Sequence, residues 1–166
     1  INQILDFRKF ENGKLSMTLS RFDISENIKD WTDAFRTLSY RKHIHFTVSV
    51  EPSEEGYVMI ADAEKMERIT YNLLSNAFKF TPENGTIEIK LSQFTKEGER
   101  WLRYQVSDTG IGMPAEHVKH IFESFYQIDV HHAGSGIGLA LVQAFVEMHG
   151  GTLDVDSGEG RGTVFT

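Results

Sequence analysis

Two glycine clusters contain the residues whose types and spacing are best suited to chemistry. The first, Asp108-Thr-Gly-Ile-Gly112, is led by a carboxylate, and the second, Gly134-Ser-Gly-Ile-Gly138, runs directly into an apolar helical pattern. A carboxylate can accept a hydrogen bond from an adenine amino group, and the free backbone N–H groups at a helix start can face phosphates. Because both clusters occur in one small chain, they predict a nucleotide that is held at both ends.

Each glycine cluster also has a plainer interpretation when it is taken alone. Asp108 is typical of a residue that begins a turn, and a Gly/Ser run is typical of a flexible linker. The second cluster is not a Walker A loop, because no Gly-Lys-Ser/Thr follows it. It also lacks the strand–glycine–helix context, with an acidic residue beyond, of a dinucleotide-binding motif.

A pair of asparagines in a helical segment is the next candidate. Asn72 and Asn76 are four residues apart and share a helix face, which Lys79 and Phe80 extend by one turn. Carboxamide oxygens are suitable ligands for Mg²⁺, and a lysine contacts phosphate as a point charge. The alternative is a pair of solvated or capping asparagines, and the pair taken alone favours that alternative.

Composition limits the classes of partner. The chain has 166 residues, a formal net charge of −7 and no cysteine. The negative charge argues against nucleic acid, and it requires that ATP affinity come from local donors, a helix end and a metal ion. Without cysteine there is no disulfide framework and no thiolate metal site. His131 and His132 lack a third ligand at useful spacing, so we expect them to be exposed loop residues.

The hydropathy of the sequence gives no indication of a segment that enters the lipid bilayer. No apolar run approaches the roughly 18 residues of a membrane span, and the N-terminus has no signal-peptide pattern. We therefore expect a cytoplasmic location and no membrane contact by this chain.

The elements that would position these residues follow from periodicity and caps. Asp23, with Glu26 as its capping-box partner, and Asp62 predict the starts of two helices. A third long helix is predicted over 137–149 and a short one from Pro114. Strands are predicted over 15–19, 45–50, 57–60, 86–94, 101–106, 152–156 and 162–166, and the apolar helical stripes are Ile24, Ile28, Trp31, Phe35 and Leu38, then Met66, Ile69, Leu73 and Ala77.

The alternation of strands and helices predicts an α/β two-layer sandwich. It would have one mixed sheet of about five strands plus a short hairpin, with three long helices on one face. Phe122 and Phe125 are predicted to pack in the core, or alternatively to act as the hinge of the loop that follows. That loop spans residues 123–135. We expect residues 127–135 within it to be poorly ordered without nucleotide, because they are aperiodic and rich in Gly and His.

The motifs together are far more specific than any one of them. In chain order they are Asn72-x-x-x-Asn76-x-x-Lys79-Phe80, Asp108-x-Gly110-x-Gly112, Phe122-x-x-Phe125, Gly134-x-Gly136-x-Gly138 and Gly160-x-Gly162-Thr163-x-Phe165. With these motifs the chain resembles the ATP-binding catalytic domain of a bacterial sensor histidine kinase, whose Bergerat-type fold is shared with type II topoisomerases, mismatch-repair ATPases and a heat-shock chaperone. Sequences similar to residues 1–12 are frequent in hybrid kinases that carry a receiver domain.

The resemblance implies a role for each motif. The asparagines, Asn76 first and Asn72 beside it, would coordinate Mg²⁺, while Lys79 would meet phosphate and Phe80 would stack near adenine. Asp108 would accept the adenine amino hydrogen bond. The other implied cofactor-binding residues belong to the glycine motifs, with residues 126–135 as the ATP lid: Gly110, Gly112 and Thr163 near the base, and Gly134, Gly136, Ile137, Gly138 and Leu139 at the phosphates.

The resemblance also implies a division of the chain and a set of partners. Residues 1–12 would be the end of the dimerisation helix and its linker, and residues 13–166 a C-terminally truncated catalytic domain. The phosphoacceptor histidine and its acidic neighbour are not in this sequence. We therefore expect ATP binding but no activity from this chain alone. The expected partners are the dimerisation helices, which carry that histidine, and a response-regulator receiver domain.

The residue at position 72 distinguishes ATP-hydrolysing members of this fold from those that transfer the phosphoryl group to a protein. ATP-hydrolysing relatives place a glutamate four residues before the metal asparagine, where it activates water, and this chain has Asn72 there. A carboxamide cannot act as a general base at neutral pH. The sequence thus favours phosphoryl transfer to a protein histidine. An ATP-hydrolysing clamp of the same fold and a degenerate nucleotide-binding module remain as alternatives.

Overall fold

A computed structural model describes residues 2–128 and 134–166 of the chain. The predictions for His131 and His132, and for the middle of the lid, lie outside the described residues. None of the helices within the described ranges is long and apolar enough to cross a membrane. The described elements are α1 Asn2–Glu11, β1 Ser20–Asp23, α2 Ile24–Lys42, β2 His45–Val50, β3 Val58–Ala61, α3 Ala63–Phe80, β4 Thr86–Lys96, β5 Glu99–Asp108, α4 Ala115–Val118, α5 Gly138–Met148, β6 Val155–Gly158 and β7 Gly162–Phe165.

The main sheet has five strands in the order β2-β4-β5-β7-β6. The β2–β4 pair is parallel and the other three pairs are antiparallel, which confirms the prediction of a mixed five-stranded sheet. A second, two-stranded sheet pairs β1 with β3. This small sheet is not a hairpin, because α2 and β2 separate its two strands in sequence.

The first strand lies later than the sequence predicted. The alternation at residues 15–19 predicted a strand, but β1 is Ser20–Asp23, where Ser20 pairs with Ala61 and Asp23 with Val58. In the predicted segment, the Thr18 N–H instead donates to Asp62 Oδ2 at 2.8 Å. Local alternation was misleading here because a strand forms only where a partner strand can complete its hydrogen bonds.

Both predicted helix caps are present. Asp23 Oδ1 accepts from the Ser25 N–H at 2.9 Å at the start of α2, and Asp62 Oδ1 accepts from the Lys65 N–H at 3.1 Å at the start of α3. The predicted capping-box partner Glu26 instead forms an ion pair with Lys29 at 2.9 Å. Each cap satisfies a backbone donor that the first helical turn would otherwise leave free.

The core lies between one face of the sheet and the long helices. Ile87, Ile89 and Leu91 are fully buried on the inner face of β4, while the intervening Glu88 and Lys90 are only half-buried. The predicted helical stripes join the same buried cluster, with Trp31 and Leu38 packed at its edge. The pleat therefore separates an apolar face from a polar one, as expected for a sheet covered on one side.

The β4–β5 hairpin carries the strand end that matters for the site. Glu97 and Gly98 form its two-residue turn with φ of 53° and 80°, which matches the predicted position. The ladder from Lys96↔Glu99 runs to Ile87↔Asp108. On the other edge of β5, Asp108 pairs with Thr163 of β7. Asp108 therefore lies at the end of a central strand, supported on both sides.

The final hairpin is displaced slightly from the predicted one. The strand predicted at 152–156 is β6, Val155–Gly158, so Ser157 and Gly158 belong to the strand and not to the turn. They pair with Thr163 and Gly162 of β7. This close pairing brings β6 and β7 against the segment after Asp108.

Candidate functional site

A cavity of about 400 Å³ opens between α3, the end of β5 and the start of α5. Gly110 and Ile137 are the predicted site residues that do not line it. Gly110 is buried and supports Asp108, while Ile137 is buried in the core. The predicted residues that do line the cavity are Asn72, Asn76, Lys79, Phe80, Asp108, Gly112, Gly134, Gly136, Gly138, Leu139 and Thr163.

Asp108 forms one end of the cavity. Its Oδ1 accepts a hydrogen bond from the Gly110 N–H at 2.8 Å. Burial raises the pKa of the Asp108 carboxyl above its ordinary value, and hydrogen bonds from the Gly110 and Thr163 backbones offset part of that rise. The result is a partly desolvated acceptor held at a fixed position, which can recognise a donor on a ligand.

The surroundings of Asp108 are closely packed backbone. A Cβ on Gly112 would lie 1.9 Å from Gly158 O, and a Cβ on Gly162 would lie 1.9 Å from Asp108 O. Both glycines have positive φ, 65° and 77°. Only glycine combines this conformation with such close approach. The glycines after and opposite Asp108 are therefore required by the way the strands meet.

Hydroxyl groups link the hairpin of β6 and β7 to the Asp108 end of the cavity. Ser157 Oγ and Thr163 Oγ1 are 2.8 Å apart, and the Met113 N–H donates to Ser157 Oγ at 3.0 Å. Thr163 is buried and still lines the cavity. These bonds tie the segment after Asp108 to β6 and β7.

The two asparagines of α3 form another part of the cavity wall. Asn72 is only 7% exposed, and its Oδ1 accepts a hydrogen bond from Gln3 Nε2 at 2.5 Å. The interpretation of two solvated asparagines is therefore wrong for Asn72. Asn76 is half-buried and lines the cavity one turn later. Both carboxamides thus lie on one cavity wall, as their spacing predicted.

Lys79 brings a positive charge to this wall. Its Nζ lies 5.1 Å from the centre of the Phe80 ring. The same Nζ is 3.4 Å from the place that a Cβ would take on Gly134. The Lys79 ammonium is therefore adjacent to the second glycine cluster, where its positive charge would stabilise an anionic group.

The start of α5 completes the cavity wall that contains the asparagines and Lys79. The helix begins at Gly138, and its N-cap residue, Ile137, makes no side-chain capping bond. Gly138 and Leu139 line the cavity, so the first turn of α5 lies at the cavity, and the free N–H groups of a helix start favour an anion. The Ile137 N–H donates to Ser135 Oγ at 3.3 Å. The Ile137 amide therefore has a local partner in this structure, and its contact with phosphate stays a prediction.

The two phenylalanines before the lid behave differently. Phe122 packs against the core, with its ring 6.3 Å from that of Phe165. Phe125 is 63% exposed, so the prediction that it is a core residue is wrong. Its φ is 67° and its N–H donates to Gly136 O at 2.7 Å. This turn directs the ring outward, where it meets Phe7 of α1 at 5.4 Å.

Several cavity residues were not predicted from the sequence. The most distant of them is Gln3, which contacts a residue 69 positions away in the chain. No local pattern signals such a contact. Gln127, which belongs to the predicted lid, lines the cavity and donates to Gly134 O at 2.7 Å. The other unpredicted lining residues include Tyr71, Ile111, Met113 and Ile121.

Comparison with known families agrees with this geometry. Residues 61–166 match the family described as histidine kinase-, DNA gyrase B-, and HSP90-like ATPase. The chain belongs to this family. The match covers the segment that holds both asparagines, Asp108 and the glycine clusters.

Two relatives are histidine kinases. Hybrid signal transduction histidine kinase D of Dictyostelium discoideum is 36% identical over 171 residues, which cover 100% of this chain and 11% of that protein. Circadian input-output histidine kinase CikA of Thermosynechococcus vestitus is 37% identical over 172 residues, which cover 100% of this chain and 23% of the relative. The chain therefore spans less than a quarter of the length of either relative.

Solved structures show the same fold. The catalytic domain of histidine kinase ThkA superposes with a TM-score of 0.76 at 26% identity, covering 90% of this chain and 95% of that one. Full-length ShkA in complex with AMPPNP superposes with a TM-score of 0.82 at 29% identity, covering 99% of this chain and 33% of that one. This chain is thus a catalytic ATPase domain of the histidine kinase type. The hydrolysing clamp is not favoured.

Proposed function

We propose that this domain binds ATP with Mg²⁺ and transfers the γ-phosphoryl group to a histidine on dimerisation helices that are absent from this sequence. The observation that carries the proposal is the cavity itself. It brings together the fixed Asp108 acceptor, the Lys79 cation and the start of α5. The AMPPNP complex of the related ShkA supports a nucleoside triphosphate as the ligand.

The base end of the proposed site is the end at Asp108. The carboxylate accepts the adenine amino hydrogen bond, which guanine cannot donate from the same position. Gly112 and Thr163 line the cavity beside it, and we assign them to water-mediated support of the base. The partial burial of Asp108 strengthens this selection, because a donor that fails to match leaves a desolvated acceptor unpaired.

The phosphate end of the proposed site is built from α3 and the start of α5. Lys79 and the first-turn N–H groups of α5 neutralise phosphate charge locally, which the net charge of −7 makes necessary. Within the described part of the chain, no group of three or more His, Cys, Asp or Glu is placed to hold a metal ion. Among the described residues, the Asn72 and Asn76 carboxamides offer oxygen ligands, which suit a hard cation such as Mg²⁺.

The chemistry follows from these groups. Phosphoryl transfer depends mostly on positioning and charge neutralisation, which the cation and the helix start supply. Mg²⁺, when bound, would neutralise charge that develops on the transferred group. Asn72 offers no carboxylate to activate water, so transfer to a protein acceptor is favoured over hydrolysis.

The proposed function assigns the parts of the chain and its partners. We assign residues 1–12 to the end of the dimerisation helix and its linker, and residues 13–166 to the catalytic domain. The proposed partners are the dimerisation helices and a receiver domain, since the relatives include hybrid kinases. Because ATP is the donor, we expect the domain to work in the cytoplasm.

Calorimetric titration tests the binding part of the proposal. The domain is titrated with ATP and with GTP, each with Mg²⁺ and with a chelator. We expect Mg²⁺-dependent ATP binding and no GTP binding. A matched control is Lys90→Ala, which removes a cation from the outer face of the sheet and should leave binding unchanged. Equal binding of both nucleotides, or of neither, would contradict the proposal.

Reconstitution tests the transfer part. The domain is joined to the dimerisation helices of its parent protein and incubated with labelled ATP. We expect acid-labile label on the helices, as for phosphohistidine, and little free phosphate. Phosphate release without labelled protein would support the hydrolysing alternative instead.

A further inference from the structure

Helix α1 contributes a side chain to the wall of the nucleotide cavity. Gln3 lines the cavity beside Asn72, and its Nε2 donates to Asn72 Oδ1 at 2.5 Å. Two further contacts hold α1 in place. Asp6 forms an ion pair with Arg68 of α3, and Phe7 is buried against the Phe125 ring at the base of the lid. The contact of Gln3 is thus part of a docked helix and not a lone surface bond.

The Asn72 carboxamide is confined from two sides. On one side is the Gln3 amide, and on the other is the first residue of α5, where a Cβ on Gly138 would lie 3.0 Å from Asn72 Oδ1. Asn72 as a whole is 7% exposed. A buried amide in such a space has one favoured orientation, and the hydrogen bond from Gln3 determines which atom of the amide occupies the oxygen position.

We propose that Gln3 is a positioning residue for the nucleotide site. It holds the Asn72 carboxamide in the orientation that magnesium-nucleotide binding requires. The inference rests on the proposed function, in which Asn72 contributes to the metal and phosphate end. An amide oxygen has two lone pairs, so the bond from Gln3 leaves one for the ligand. Hydrogen bonds that orient metal ligands in this way are worth about 10- to 100-fold in metal affinity.

This arrangement links the position of α1 to nucleotide binding. If docked α1 strengthens magnesium-nucleotide binding through Asn72, then the magnesium-nucleotide must strengthen docking of α1 by the same factor. A movement of α1 away from α3 would remove Gln3 and weaken the site. The position of α1 would thereby change the affinity for magnesium-nucleotide, although α1 does not contact the base end.

The test uses Gln3→Met, which keeps the length of the side chain and removes its donor. ATP is titrated calorimetrically with Mg²⁺ and with a chelator, and the Mg²⁺ concentration for half-maximal binding is measured. We expect about tenfold weaker Mg²⁺-dependent binding and unchanged metal-free binding. A merely structural role would weaken both. Arg8→Ala is the matched control, because Arg8 is exposed on the same helix and does not line the cavity.

Further variants test whether Gln3 acts through Asn72. In an Asn72→Ala background, Gln3→Met should have no further effect on Mg²⁺ dependence, since the group that it positions is gone. Gln3→Glu should behave like Gln3→Met or worse, because a carboxylate replaces the donor with an acceptor that faces the Asn72 oxygen. Helix content from circular dichroism checks that each variant is folded.

Amide exchange provides an independent measurement. Magnesium-ATP should slow exchange in α1 of the parent chain, and it should do so less in Gln3→Met. If Gln3→Met binds magnesium-ATP as tightly as the parent while Asn72→Ala does not, the inference is overturned and the proposed function stands. Tighter binding by Gln3→Met would also overturn it, because Gln3 would then compete with the metal. A parent chain without Mg²⁺-dependent binding overturns both.

Discussion

The two ends of the cavity are built from different kinds of structure. At the Asp108 end, the carboxylate terminates a central strand, and the glycines around it lie against backbone atoms of β5 and β6. At the other end, Asn72, Lys79 and the start of α5 meet through side chains from separate helices. Strand ladders restrict the first end, which we call the rigid end, to one geometry. The geometry of the second end depends on how separate helices pack, so we expect it to be the more adjustable of the two, and we call it the adjustable end.

This difference suggests a division of labour. In the proposed function, the rigid end selects the base, because discrimination requires a donor and an acceptor at a fixed distance. In the same proposal, the adjustable end holds the phosphates and the metal, whose charge and coordination must change during transfer. The Gln3 contact lies at the adjustable end, which is where a signal carried by α1 can have an effect.

Gly162→Ala is expected to have the largest effect and to break the rigid end. A Cβ there would lie 1.9 Å from Asp108 O, and φ is 77°. We expect a loss of about 3 kcal/mol in the free energy of unfolding, from steric overlap and backbone strain together, and loss of ATP binding. Urea unfolding measures the first and calorimetry the second.

The control for this prediction is Gly160→Ala in the same hairpin. Gly160 also has positive φ, 70°, but has no atom within 4 Å of the added Cβ. It should cost only the conformational strain, about 1 kcal/mol. Equal effects of the two substitutions would show that close packing at the base end contributes nothing.

Asp108→Ala should weaken the base end selectively. Removing a charged hydrogen-bond acceptor costs about 1.5–3 kcal/mol, so ATP affinity should fall by about 10- to 100-fold. The preference for ATP over GTP should disappear, while the Mg²⁺ dependence of the remaining binding persists. Competition titrations with both nucleotides measure this. ATP binding as tight as that of the parent chain would refute the adenine assignment.

Asn76→Ala should produce the opposite pattern at the adjustable end. We expect about a tenfold loss of Mg²⁺-dependent ATP affinity, because a water molecule can replace a neutral carboxamide ligand at moderate cost. The preference for ATP over GTP should be retained. Calorimetry with and without chelator separates the two properties. A loss of base selectivity in this variant would mean that the two ends are not independent.

The smallest effect concerns the pH dependence of the base end. The pKa of folded Asp108 is raised above 3.8 by burial, so the folded chain binds the proton more tightly than the unfolded chain. The stability that Asp108 contributes is therefore present below pH 3.8 and is lost as pH rises through the raised pKa. Asp108→Asn lacks this loss, so its stability relative to the parent should increase over that window. A pH-independent difference in urea unfolding between the two would contradict the raised pKa.

Much of the secondary structure could be predicted because its causes are local. The caps at Asp23 and Asp62, the turn at Glu97-Gly98 and the apolar stripe of α3 all depend on neighbours within a few residues. The strand β1 could not be placed in the same way. Its position depends on pairing with β3, more than thirty residues later.

The outward position of Phe125 has a similar explanation. An aromatic residue beside a core segment is ordinarily buried, but here its N–H bonds to Gly136 O across the base of the lid. That bond sets a positive φ and turns the ring toward α1. The sequence contains no signal of a hydrogen bond that joins two segments through a loop.

The amino-acid sequence by itself determined the family, the two glycine clusters, the asparagine pair and the helices that carry them. These depend on residue type and short spacing, which are preserved whatever the chain contacts later. Only the tertiary structure decided that Asn72 is buried, that Gly112 and Gly162 lie against carbonyl oxygens, and that Gln3 reaches the cavity wall. Contacts of this kind arise when distant segments pack together, because packing and not local periodicity selects which side chains share a space.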